Sequence, residues 1–164
     1  GMFCGVYHWF PKMFGRMMNN TLAYIHFWIT MVGAYLIFWP MHYEGLAGMP
    51  RRYYDFSNWE SFKMFQGLNE FISIVAMIVF ATQFLFIFNF FYSIFKGRKL
   101  TEKTKNPWHS TTLEWTTPVN PGHGNWVEEI PEVHRWAYDY GKDGRDFIPQ
   151  NEPIGAQESK HSGQ

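Results

Sequence analysis

Between Met17 and Tyr43 the chain reads MMNNTLAYIHFWITMVGAYLIFWPMHY, a run with no Asp, Glu, Lys or Arg. About 20 apolar residues in a helix cross a hydrocarbon core about 30 Å thick, so this run is long enough to span a membrane. A second run, FISIVAMIVFATQFLFIFNFFYSIF over residues 71–95, is equally free of charge. Two such runs predict an all-α integral membrane fold, because a helix satisfies its backbone polar groups internally where no water can. Charged residues, prolines and glycines take over only after Lys96.

Working outward from the two runs divides the chain into five parts. Residues 1–14 open with GMFCGVYHWFP, uncharged and aromatic but too short to span. No basic region precedes them, as a signal peptide requires. They read as the end of a transmembrane helix, and the chain as a fragment or one piece of a split subunit. Residues 15–43 comprise a short loop, GRMMNN, and a complete span over 20–42 that is expected to close at Pro40. Residues 44–64 form a loop with turn chemistry at Gly45, Gly48 and Pro50. Residues 65–96 form the second complete span, and residues 97–164 an extended, mostly irregular extramembrane tail. The tail has few aliphatic residues, with Trp108, Trp115, Trp126 and Trp136 spaced along it. Ordering a chain costs about 1–2 kcal/mol per residue. The tail is therefore expected to lie against a partner surface through its tryptophans or to stay partly mobile.

Both spans are sided. Ala23, His26, Thr30, Gly33 and Ala34 recur at three- and four-residue steps on the first, and Asn69, Ser73, Ala76 and Gln83 on the second. Small and polar stripes let membrane helices approach closely and hydrogen-bond to each other. The other faces, of Phe, Ile, Leu and Met, suit lipid and place the helices at the edge of a larger bundle.

Several function classes fall away. The net charge of zero leaves no electrostatic footprint for nucleic acid. The single cysteine, Cys4, rules out an internal disulfide framework. The histidines of the tail, at 109, 123, 134 and 161, lack metal-site spacing.

Charge also orients the chain. Lys12, Arg16, Lys96, Arg98, Lys99, Lys103 and Lys105 flank the membrane on the side of the first loop and the tail, against Arg51, Arg52 and Lys63 on the other. Basic residues accumulate on the inner side, so the tail is expected inside and the 44–64 loop outside. Arg51 and Arg52 then stand where insertion disfavours them. A guanidinium presents five donors in a planar fork that matches carboxylate or phosphate. Two in succession behind Pro50 read as a clamp for anionic groups at the outer membrane edge. Lipid phosphates and helix ends are alternative partners.

The segments HWFPKMFG (8–15), HFWITMVGAYLIFWPMHYEGLAGMPRRYYDF (26–56) and NPWHSTTLEWTTP (106–118) resemble the end of subunit I of the haem–copper oxidases, specifically the bacterial cytochrome c oxidases. EIPEVHRWAYDYGKDGRDFIPQ (129–150) fits the same group. The resemblance implies a twelve-helix bundle of which this chain holds the end of the tenth helix, the eleventh and the twelfth. It implies a multi-pass protein of the bacterial inner membrane, with the tail cytoplasmic and the 44–64 loop periplasmic. It further implies that Arg51 and Arg52 bind the propionates of two haem A groups, with Tyr53 in support and Phe38 and Trp39 walling a haem. The haem and copper ligands of that family lie upstream, so no metal ligand and no catalytic residue is expected in this chain. The implied partners are the rest of subunit I, subunits II and III, cytochrome c through subunit II, and the lipid bilayer. The implied reaction is reduction of oxygen to water coupled to proton pumping. A quinol oxidase of the same superfamily and a non-enzymatic membrane scaffold are the competing readings.

Overall fold

The computed structural model describes residues 1–52, 54, 55, 58–121, 123, 124, 126, 129–142 and 144–154. Three α-helices carry it: α1 (Met2–Phe14), α2 (Asn20–Leu46) and α3 (Gln66–Lys96). A 3₁₀ segment, Glu60–Phe65, leads into α3, and two short 3₁₀ turns, Glu102–Thr104 and Leu113–Trp115, lie in the tail. Among the described residues there is no β-strand, only isolated antiparallel bridges joining Arg16 to Lys99 and Tyr140 to Phe147. At 1.5 Å per residue α2 is about 40 Å long and α3 about 46 Å, so each exceeds a hydrocarbon core of about 30 Å. Both are apolar enough to cross a membrane.

The chain divides into two compact units, Asn19–Phe95 and Gly1–Met18 with Lys96 onward. The first is the α2/α3 pair. Asn19 caps α2, its side chain accepting from Leu22 N. The helices meet along the small and polar stripe. Gly33 lies so close to α3 that a Cβ there would collide with Val79 Cγ2. His26 is buried and pairs with Gln83 Oε1 at 3.2 Å. Gln83 donates to Val79 O at 2.8 Å. At the Asn19 end, Asn89 and Ser93 are fully buried. Asn89 donates to Asn19 O at 3.1 Å and accepts from Asn19 N at 3.2 Å and Ser93 Oγ at 3.0 Å.

Two expectations are corrected here. Ser73 is exposed and spends its hydroxyl on Asn69 O, one turn back in its own helix. The buried positions of α3 run instead through Ile72, Val75, Thr82, Asn89 and Ser93. Nor does α2 stop at Pro40. It runs through the proline to Leu46, accepting the loss of one backbone hydrogen bond.

The second unit shows what the tail packs on: α1 of the same chain. Gly15, at φ 62°, ends α1 in the left-handed region and donates to Pro11 O. Beyond it, Met17 N donates to Arg98 O and Leu100 N to Gly15 O, both at 2.9 Å. Trp115 is 1 % exposed, with its ring edge-on to His8 and the Lys12 ammonium 5.2 Å from the ring centroid. Lys12 also donates to Thr117 Oγ1 at 2.6 Å and to the carbonyls of Thr117 and Pro118. Trp108 Nε1 donates to His8 O at 3.1 Å. Further along, Ile148 is fully buried, and Gln150 ties Thr111, Leu113, His134 and Arg135 together through backbone and side chain. The irregular tail is thus ordered by local hydrogen bonds around a few buried side chains. Trp136 is exposed, its ring lying 5.5 Å from that of Tyr138.

Candidate anion-binding site

The end of α2 sets the site. Met49 N donates to Glu44 O at 3.0 Å and Gly48 N to Gly45 O at 3.1 Å. These two bonds are a Schellman motif, which needs a left-handed residue just past the helix cap. Gly48, at φ 84°, supplies it. Pro50 follows, a residue that cannot resume the helix. The chain therefore leaves α2 in a defined direction and delivers Arg51 and Arg52 at once.

Arg52 has φ 60°. A left-handed conformation is unusual for a residue with a Cβ, and such strain is characteristic of functional loops. Successive residues of an extended chain present their side chains to opposite sides. The reversal at Arg52 breaks that alternation. Arg51 and Arg52 accordingly line one groove of about 730 Å³, with Phe38, Met41, His42 and Glu44 of α2, Met49, and Asn69 of α3. Both arginines are exposed, and neither has a hydrogen bond or ion pair to a described residue.

Of the residues picked out in the sequence, the fold brings Arg51, Arg52 and Phe38 together. Trp39 is not on the groove; its Nε1 donates to Tyr43 OH at 3.2 Å, one turn along α2. Tyr53 lies outside the described residues. Two groove residues are not among the site residues picked out in the sequence. His42, whose Nδ1 lies 2.7 Å from Phe38 O, sits in the aromatic end of the span and carries no local signal. Glu44 did carry one, as the only acidic residue between Met17 and Asp55. It is 6 % exposed, and its Oε1 is buried without a hydrogen-bond partner among the described residues.

Chemically, the site combines two guanidinium forks, unpaired among the described residues, with the apolar side chains of Phe38, Met41 and Met49. This donor set fits clustered carboxylates or phosphates on an apolar body, and so fits haem propionates. The described residues hold no group of three or more His, Cys, Asp or Glu that could bind a metal ion.

Comparison with known proteins agrees with the resemblance. The family model described as "Cytochrome C and Quinol oxidase polypeptide I" matches residues 1–78. An alternative cytochrome c oxidase subunit 1 from Bradyrhizobium diazoefficiens is 51 % identical over 152 residues, covering 90 % of this chain and 25 % of the relative. Cytochrome c oxidase subunit 1 of a Synechocystis species is 44 % identical over 144 residues, covering 87 % and 24 %. That of Thermostichus vulcanus is 40 % identical over 147 residues, covering 88 % and 25 %. The chain spans about a quarter of the length of these relatives.

Proposed function

We propose that this chain, which belongs to the haem–copper oxidase subunit I family, supplies the propionate clamp of a cytochrome c oxidase through Arg51 and Arg52. The observation that carries this reading is that Arg51 and left-handed Arg52 line one groove, neither paired with another described residue. Charge-assisted hydrogen bonds contribute about 1.5–3 kcal/mol each, so bidentate pairing with carboxylates offsets the cost of holding arginines at the membrane edge. Two positive charges also keep those carboxylates ionised. When bound in the complete subunit, haem A supplies electron transfer and oxygen chemistry, with copper held by residues outside this chain.

The complete enzyme in this reading passes electrons from cytochrome c to oxygen and pumps protons. The names of the relatives favour cytochrome c over quinol as donor. α2 and α3 form the edge of a twelve-helix bundle in the bacterial inner membrane. The flanking lysines and arginines support a cytoplasmic tail and a periplasmic connection between α2 and α3. Subunits II and III are the expected partners, with cytochrome c docking through subunit II. The test is proton translocation by the intact oxidase in vesicles. Arg52→Gln is expected to lower protons moved per electron, while Arg98→Gln and Lys99→Gln leave the ratio unchanged. Equal ratios in all three variants would remove the clamp from the pumping mechanism.

A further inference from the structure

Glu44 is the one carboxyl that the clamp does not explain. It lies in the last turn of α2, where the Schellman motif fixes its backbone: Glu44 O accepts from Met49 N at 3.0 Å. The residue is 6 % exposed, more than nine-tenths buried. The Oε1 atom is sealed from solvent and has no hydrogen-bond partner among the described residues. No guanidinium pairs with it, although Arg51 and Arg52 line the same groove.

An isolated ionised carboxylate is far more costly to bury than a neutral polar group. A buried oxygen left without a donor is costly, and a buried unpaired charge considerably more so. The economical form has Oε1 as the carbonyl oxygen and the proton on Oε2. That second oxygen is not among the sealed atoms and makes no hydrogen bond to a described residue, and Glu44 lines the groove. The other titratable or charged side chains lining the groove are His42, Arg51 and Arg52; α3 contributes the uncharged Asn69.

The geometry points to Glu44 as a proton-holding member of the anion site: a neutral carboxylic acid that offers its O–H to the carboxylate gripped by Arg51 and Arg52. The inference rests on the clamp reading and deepens it. Two carboxyl groups in one site share a proton because both cannot ionise together, and an O–H···O⁻ bond between them is short and strong. Glu44 then acts through the bound anion, and is a positioning residue rather than a catalytic one.

The test is infrared spectroscopy of the intact oxidase carrying the complete subunit. Glu44→Gln, close in size and shape, is expected to remove one carboxylic C=O stretching band at neutral pH. Glu70→Gln, on an exposed residue that accepts from Gln66, should leave that region unchanged. Should Glu44→Gln fail to assemble, ¹³C-glutamate labelling of the unmodified enzyme must still shift a carboxylic band at neutral pH. Glu44→Asp must shift the same band without abolishing it. An unchanged carboxylic region in Glu44→Gln, with a carboxylate band lost instead, overturns the proposal. So does the absence of any label-sensitive carboxylic band. Failure of the clamp reading is separately visible: potentials that ignore Arg51 and Arg52 would refute the clamp while leaving the Glu44 band in place.

Discussion

Replacing Gly33 by alanine places a methyl group where α2 and α3 touch. The new Cβ would collide with Val79 Cγ2. Valine is β-branched and locked near one rotamer in a helix, so it cannot swing aside, and the helices must separate. Overpacking of this kind costs about 1–3 kcal/mol. Against it stands the intrinsic gain of alanine over glycine in a helix, about 0.8–1.0 kcal/mol. The net expectation is a loss of about 0–2 kcal/mol. Gly45 provides an internal control, because it lies in the same helix and a Cβ there meets nothing within 4 Å. Gly45→Ala should gain up to about 1 kcal/mol, so the two variants should differ by about 1–3 kcal/mol. The assay is unfolding of the purified protein in mixed micelles with rising dodecyl sulfate, followed by far-ultraviolet circular dichroism. Adding Val79→Ala should recover much of the Gly33→Ala loss, a coupling expected only of residues in contact. If Gly33→Ala and Gly45→Ala were equally harmless, the close crossing at Gly33 would be wrong.

Three further outcomes are expected. Asn89→Ala removes the three hydrogen bonds that hold Asn19 and Ser93. Two of these are interhelical, and at about 0.6 kcal/mol per interhelical bond in a membrane protein the variant should cost about 1 kcal/mol in the same micelle titration, and Thr21→Ala, on an exposed position, almost nothing. Trp115→Ala empties the most buried tryptophan of the tail. It should cost about 3–5 kcal/mol, read as rapid proteolysis of the tail, whereas exposed Trp136→Ala should stay within about 0.5 kcal/mol. Lys12→Met breaks three hydrogen bonds to Thr117 and Pro118. Amide exchange should quicken around residues 115–119 and stay unchanged around the distant Tyr140–Phe147 bridge.

The two spans were legible because absence of charge over a membrane's thickness is a one-dimensional signal. The stripe at His26, Gly33 and Gln83 was legible for a similar reason, as helical spacing converts directly into a face. Asn89 was not: it sits among six phenylalanines between Phe80 and Phe91, and its role depends on the cap of another helix 70 residues away. The tail's docking on α1 was equally hidden, since the contacts of Trp108 and Trp115 with His8 join residues about a hundred positions apart. In the site, the residue types of the arginine pair were readable but their shared groove was not. That convergence comes from the left-handed turn at Arg52, which no side-chain preference announces. Glu44 was overlooked because a lone acid just past an apolar run reads as the start of a loop, whereas α2 continues two residues beyond it.

The central claim is that Arg51 and Arg52 grip haem carboxylates. Spectroelectrochemical titration of the intact oxidase tests it directly, in Arg51→Gln, Arg52→Gln, the double variant and Arg98→Gln. Removing a positive charge beside the haems favours their oxidised form. Each clamp variant should therefore lower a haem midpoint potential by tens of millivolts, on the scale of about 59 mV per tenfold change in a one-electron equilibrium. The double variant should move furthest and Arg98→Gln not at all. Potentials unchanged in the double variant would contradict the account.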